Sequence, residues 1–386
     1  MGRGRGRSFP SSPEPFIIQA SLISPGRDQF MHFDDIEYVE LFVADVSTAS
    51  GFYTGNLGFR RVAEGGPETG LSGRRSVLLQ QGTLRLLLTQ GLEAGDAPST
   101  FVEAHGDGIR DIALRTKDAV AAFGHVTQRG AQPLREPVVG KDGAGRRMLL
   151  GTVATVGDLV HSLIESEVAV GAFLPPGLVP CESAVHLDAE LFTGLDHLAI
   201  CLEPGTLDAT VRFYEHVFGF RQSHQEVVHT AASGMNSKVV QSLSARICFP
   251  LQEPLSKENP GQIGEFLRRH GGPGVQHLAL LTADIVGCVR QLQQGLSFLE
   301  IPTAYYERLE SRLGALSFDM GPLRELGILV DRDEWGTLLQ TFTRSAHPRQ
   351  TLFFEAIQRQ EARGFGGANI RALFEAVERD YARVEA

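Results

Sequence analysis

Two histidines and one glutamate stand out by the company they keep. His197 lies in LDHLAICL and His277 in VQHLALL, so each opens a His-Leu-Ala tripeptide inside an alternating apolar segment. Glu355 lies in TLFFEAIQ, where a carboxylate shares a strand face with Phe353 and Ile357. Burying that carboxylate is costly unless it meets a cation. Two imidazoles and one carboxylate are the facial donor set of non-haem Fe(II), which leaves three adjacent coordination positions open. Those positions suit a bidentate 2-oxo acid and O2. Taken alone, either histidine reads more simply as a locally satisfied polar residue. The repetition of the chain changes that reading.

Residues 36–62 (IEYVELFVADVSTASGFYTGNLGFRRV) and 195–222 (LDHLAICLEPGTLDATVRFYEHVFGFRQ) share a strand, a turn, a helix carrying Phe-Tyr, and a glycine, Gly58 or Gly219, where the helix must stop. Residues 108–134 and 274–299 form a second pair, each a strand followed by a helix that starts at a Thr/Asp cluster (Thr116 to Asp118, Thr282 to Asp284). The reading is α+β: tandem βαβββ modules in two similar halves, whose strands curl into open, barrel-like sheets. The expected boundaries are a disordered extension over 1–32, an N-terminal domain without metal over 33–170, a Pro/Gly-rich linker over 171–193, and a catalytic domain over 194–386. A closing helix is expected near 369–384, with Leu373, Phe374, Val377 and Tyr381 at helical spacing.

Superposing the halves puts Tyr38 opposite His197, Asp111 opposite His277 and Ser162 opposite Glu355. The metal set therefore belongs to the C-terminal half. Strand alternation places His197 on a face with Leu195, Ala199 and Cys201, and His277 with Val275, Ala279 and Leu281. His105, His125, His161, His186, His216, His224, His229, His270 and His347 lack a counterpart of this kind and read as surface or structural residues.

Composition narrows the function classes. A formal net charge of −10 argues against a nucleic-acid binder, despite the short MGRGRGR run at the start. No apolar stretch is long enough for a membrane helix. Four well-separated cysteines without a C-x-x-C pair suggest a reducing cytoplasm.

The segments GLDHLAICL (194–202), GGPGVQHLAL (271–280), ILVDRDEWGTLLQTFT (328–343), TLFFEAIQR (351–359) and GFGGANIRALFEAVE (364–378) resemble the 4-hydroxyphenylpyruvate dioxygenase and 4-hydroxymandelate synthase family of the vicinal oxygen chelate fold. The resemblance runs from about Phe33 to the end. It implies Fe(II) held by His197, His277 and Glu355, a small 2-oxo acid and O2 as partners, and no catalytic residue beyond the metal centre; a homo-oligomer is compatible with it. It further implies a substrate pocket made by Ser237, Gln262, Gln276, Gln340, Phe342 and Phe365. The substrate supplies its own 2-oxo acid, so oxidative decarboxylation comes first. Attack on the ring then gives homogentisate, whereas benzylic hydroxylation gives 4-hydroxymandelate.

Between these products the residues divide. Ile370 stands where the dioxygenases usually carry Phe, and SGMNSKVVQS (233–242) is closer to the synthases. Pro250 is similar to the dioxygenases, and Gln252 departs from both groups. The favoured expectation is a 4-hydroxymandelate synthase; the alternatives are a 4-hydroxyphenylpyruvate dioxygenase and, more remotely, a non-catalytic ligand-binding protein of the same fold.

Overall fold

The computed structural model describes residues 32–181, 190–314 and 318–384. The expected N-terminal extension lies outside them, apart from His32.

The N-terminal half runs β1 (Phe33–Phe42), α1 (Val46–Leu57), β2 (Arg60–Gly65), β3 (Arg74–Gln81), β4 (Leu84–Gly91), α2 (Ala97–His105), β5 (Gly108–Thr116), α3 (Ala119–Gln128), β6 (Pro133–Lys141), β7 (Arg147–Ala154), β8 (Val160–Ser166) and β9 (Val179–Pro180). The C-terminal half runs β10 (Gly194–Cys201), α4 (Leu207–Phe218), β11 (Arg221–His229), β12 (Gly234–Gln241), β13 (Cys248–Pro254), α5 (Gly261–His270), β14 (Gly274–Leu281), α6 (Ile285–Leu292), three short helices α7 (Thr303–Glu307), α8 (Leu309–Leu313) and α9 (Met320–Glu325), then β15 (Leu329–Arg332), β16 (Thr337–Phe342), β17 (Phe353–Gln360) and α10 (Gly367–Val384).

The two sheets have matching order: β6-β7-β8-β5-β1-β4-β3-β2-β9, and β15-β16-β17-β14-β10-β13-β12-β11 read in the same direction. Each half is thus two βαβββ modules, as the repeat predicts, and among the described residues β9 is the one strand lacking a counterpart. Local chemistry sets the helices. Asp118 and Asp284 cap α3 and α6 by accepting from the N–H groups of Ala121 and Gly287. Helices α1 and α4 end on Gly58 and Gly219 at φ 73° and 68°, a left-handed conformation that glycine adopts without penalty. Helix α4 buries Leu207, Val211, Tyr214 and Phe218 on one stripe. These join Leu198, Ile200 and Leu278 from β10 and β14, and Ile112 and Leu163 from the other half, in one core. His161 Nε2 meets the Tyr214 hydroxyl at 3.2 Å across that junction.

The halves differ in what fills the concave face. In the N-terminal half, Phe173 and Leu178 pack with Tyr38, Ala113, Leu150 and Ile164. In the C-terminal half the corresponding space is a cavity, covered by α5 and α10. Among the described residues no helix is long and apolar enough to cross a membrane.

Candidate functional site

Strands β10, β14 and β17 lie side by side. Their register pairs His197 with Ala279 and Ala279 with Glu355, so the small Ala279 sits between the two larger side chains. His277 pairs with Ala199 and Phe353, one step along the strands. All three side chains are buried, and one donor atom from each lies within 4.8 Å of the others. Glu355 Oε2 is 3.4 Å from His197 Nε2 and 3.6 Å from His277 Nε2.

Strand alternation alone does not describe these faces. The pairing slips between Leu195 and His197 on β10, and between Ala199 and Ile200, which leaves Gln276 unpaired on β14. Each slip is a bulge that re-aims the chain. Leu195 and Val275 therefore pack into the core behind the sheet and do not share the site's face. Gln276 and His277, consecutive in sequence, both line the cavity. The same slips occur in the N-terminal half, after Ile36 and after Glu40.

A network of polar groups holds the three donors. Asp196, at the first bulge, accepts from His197 Nδ1 at 2.7 Å and from Arg359 Nε and Nη2 at 2.5 and 2.8 Å. This leaves His197 Nε2 directed at Glu355. Gln340 Nε2 donates to Glu355 Oε1 at 2.7 Å; Asn369 Nδ2 donates to Gln340 Oε1 at 2.9 Å, and the Tyr305 hydroxyl donates to Asn369 Oδ1 at 2.7 Å. Gly366, at φ 72°, lets the chain into α10 pass closely over this network: a Cβ there would stand 2.5 Å from Gln340 Oε1. The ring of His277 stacks on Phe353 at 4.9 Å, and its Nδ1 is buried without a hydrogen-bond partner.

The electrostatics are those of a cation site. Burial opposes charge on His197, but Glu355 and Asp196 outweigh it and raise the pKa to about 9. Burial, reinforced by His197, holds His277 well below the usual imidazole range. Against burial, Arg359 and His197 keep Asp196 well below the usual carboxylate range. Two convergent Nε2 atoms and a carboxylate oxygen, all buried, with His197 and Glu355 held by hydrogen-bonding partners and His277 by its stack on Phe353, fit a divalent transition metal. In the N-terminal half the equivalent positions close on themselves. Asp111 accepts from the backbone N–H and hydroxyl of Ser162, and Leu150 occupies the register position of Gln340.

From this cluster the cavity runs along the sheet of the C-terminal half. Its lining includes each of the sequence-derived positions Ser237, Pro250, Gln252, Gln262, Gln276, Gln340, Phe342, Phe365 and Ile370. Phe365 packs on His197 at 5.3 Å, and Ile370 packs beside Phe365, Val239, Met235 and Phe374.

Sequence reasoning missed five members. Asp196, Arg359 and Asn369 support the donors; Asp196 adjoins His197, and Arg359 is four residues beyond Glu355 on the same strand face, which was the available clue. His224 and Glu226 also line the cavity. For His224 this corrects the reading as a surface or structural residue: edge strand β11 turns it toward Phe365, 5.6 Å away.

Comparison with known proteins agrees with this architecture. The family described as Glyoxalase/Bleomycin resistance protein/Dioxygenase superfamily matches residues 35–158 and 194–319. A triple mutant of 4-hydroxymandelate synthase from Streptomyces coelicolor has 42% sequence identity and a TM-score of 0.82, covering 91% of this chain and 100% of its own. The 4-hydroxyphenylpyruvate dioxygenase of Yarrowia lipolytica is 32% identical over 96% of both chains. A probable 4-hydroxyphenylpyruvate dioxygenase 2 of Aspergillus fumigatus is 34% identical over 95% of this chain and 97% of its own.

Proposed function

Since this chain belongs to the glyoxalase/bleomycin resistance protein/dioxygenase superfamily, and within it to the family of 4-hydroxyphenylpyruvate dioxygenases and 4-hydroxymandelate synthases, we propose that it converts 4-hydroxyphenylpyruvate and O2 to 4-hydroxymandelate and CO2 with Fe(II) as cofactor. The observation that carries this reading is the buried His197–His277–Glu355 cluster at one end of a cavity with aromatic walls and hydrogen-bonding groups at its other end. Fe(II) at these donors would supply O2 activation and oxidative decarboxylation of the chelated 2-oxo acid.

The protein's own residues bind, aim and dry the site. Asp196 and Gln340 hold His197 and Glu355 in one orientation. Phe342, Phe365, Pro250 and Ile370 give the ring apolar faces, while Ser237, Gln252, Gln262 and Gln276 offer hydrogen bonds. A branched aliphatic at Ile370 leaves volume that a phenyl group would fill, so the substrate ring can tilt and present its benzylic carbon. That favours the synthase over the dioxygenase, as does the 42% identity to a synthase against 32–34% to the dioxygenases. Residues 33–170 would then be the domain without metal, and residues 194–386 the catalytic one. Free thiols at Cys181, Cys201, Cys248 and Cys288 support a reducing, cytoplasmic setting.

The test is anaerobic reconstitution with Fe(II), then addition of 4-hydroxyphenylpyruvate and O2 with products resolved by mass. 4-Hydroxymandelate is expected, and Ile370→Phe should shift the product toward homogentisate. Homogentisate from the wild type would overturn the product assignment. No iron uptake and no O2 consumption would overturn the oxygenase.

A further inference from the structure

Resting on that reading, we infer that the cavity is built for an arylpyruvate whose ring carries two adjacent hydrogen-bonding substituents, a catechol in place of a simple phenol, with Glu226 and His224 taking the second.

Strand register lines up Glu226, Ser237 and Gln252 across β11, β12 and β13, and sets Gln252 beside Cys201 of β10. Cys201 is four residues from His197, or about 13 Å at the rise of a strand. This polar row therefore lies beyond the metal donors along the strands, four residues past the register position of His197 and Glu355 and two past that of His277, where a ring substituent would arrive.

The hydrogen-bonding capacity of the row exceeds what one hydroxyl can use. Gln252 Nε2 already donates to Gln276 Oε1 at 2.9 Å. Its other N–H reaches Cys201 Sγ at 3.5 Å, so the pair leaves the Gln252 carbonyl oxygen to accept and the Gln276 NH2 group, with two N–H, to donate. Among the described residues the Ser237 hydroxyl has no protein partner. A phenolic hydroxyl donates once and accepts up to twice, so Gln252, Gln276 and Ser237 satisfy it completely.

Glu226 is left over. His224 Nε2 lies 3.4 Å from its carboxylate but makes no hydrogen bond to it, although that nitrogen is buried. Gly367, at the start of α10, packs against the carboxylate: a Cβ there would lie 2.5 Å from Oε1. Yet the next backbone N–H, that of Ala368, is directed to Asp331. An acceptor and an unused ring nitrogen thus face the cavity side by side. A second hydroxyl, ortho to the first, would donate to Glu226 and accept from His224, and a carboxylate acceptor makes that bond a strong one.

The test uses the iron-loaded full chain, with initial O2 uptake measured for 3,4-dihydroxyphenylpyruvate and 4-hydroxyphenylpyruvate above the enzyme-free rate. Wild type should show the larger kcat/KM with the dihydroxy substrate. The isosteric Glu226→Gln should lower the ratio of the two kcat/KM values by about tenfold or more, the worth of a hydrogen bond to a charged acceptor. Calorimetry on the metal-free protein, with 3,4-dihydroxyphenylacetate and 4-hydroxyphenylacetate, should show the same shift in the ratio of Kd values. A wild-type preference for the monohydroxy compound, or a ratio unmoved by Glu226→Gln, overturns the inference. Absence of uptake with both substrates would instead sink the oxygenase reading, and the calorimetric ratio then decides this inference by itself.

Discussion

Replacing Asp196 by Asn probes how the donor cluster is held. The carboxylate accepts from His197 Nδ1 on one side and from two nitrogens of Arg359 on the other. Asn keeps the volume and one acceptor oxygen, but it loses the charge and turns an N–H group toward either Arg359 or His197. Two costs follow. An outer partner that fixes a ligating imidazole is worth about 10–100-fold in metal affinity, or roughly 1.4–2.7 kcal/mol. Arg359, whose side chain is 18% exposed, also loses its counter-charge, and breaking a buried pair costs about 3–5 kcal/mol. Because Arg359 keeps its bonds to the Ala362 and Gly364 carbonyls, the loss should fall at the low end, about 3 kcal/mol. Fe(II) or Co(II) affinity measured by chelator competition reads the first cost, and urea unfolding of the metal-free protein reads the second. Metal affinity within about twofold of wild type, with stability lowered by less than about 1 kcal/mol, would refute the role given to the Arg359–Asp196–His197 chain.

Gly366→Ala forces a Cβ onto Gln340 Oε1 and costs about 1–2 kcal/mol for the left-handed backbone alone; unfolding measurements should show at least that loss, with weakened metal binding as Glu355 loses its donor. Phe173→Ala empties the centre of the N-terminal cup and should cost about 3–5 kcal/mol in unfolding free energy, while metal affinity stays at the wild-type value. Burial, with the charge of Glu40 second, raises the pKa of Asp111 to about 7. The folded chain therefore keeps a proton that the unfolded chain releases near pH 4, so this group's stabilisation is complete below that pH and is lost as pH rises through about 7. Asp111→Asn, which can still bond Ser162, should remove that loss and exceed wild type by up to about 4 kcal/mol at pH 8 but not at pH 4, read by denaturation at both pH values.

The sequence by itself determined the modules, because their causes are local: alternation makes strands, Asp118 and Asp284 start helices, and Gly58 and Gly219 stop them. Comparison of the repeated halves also singled out His197, His277 and Glu355, since equivalent strand positions must face equivalent space. That reasoning could not see the bulges, which arise from pairing between strands some 80 residues apart and put Gln276 and His277 on one side. Nor could it weigh the filling of the two cups. Tertiary packing alone inserts Phe173 and Leu178 into one half and leaves the other open beneath α10. It likewise turned His224 and Glu226 of edge strand β11 into the cavity and brought Asp196 to Arg359 across 163 residues. Those contacts depend on how the sheet curls, which no short stretch of sequence encodes.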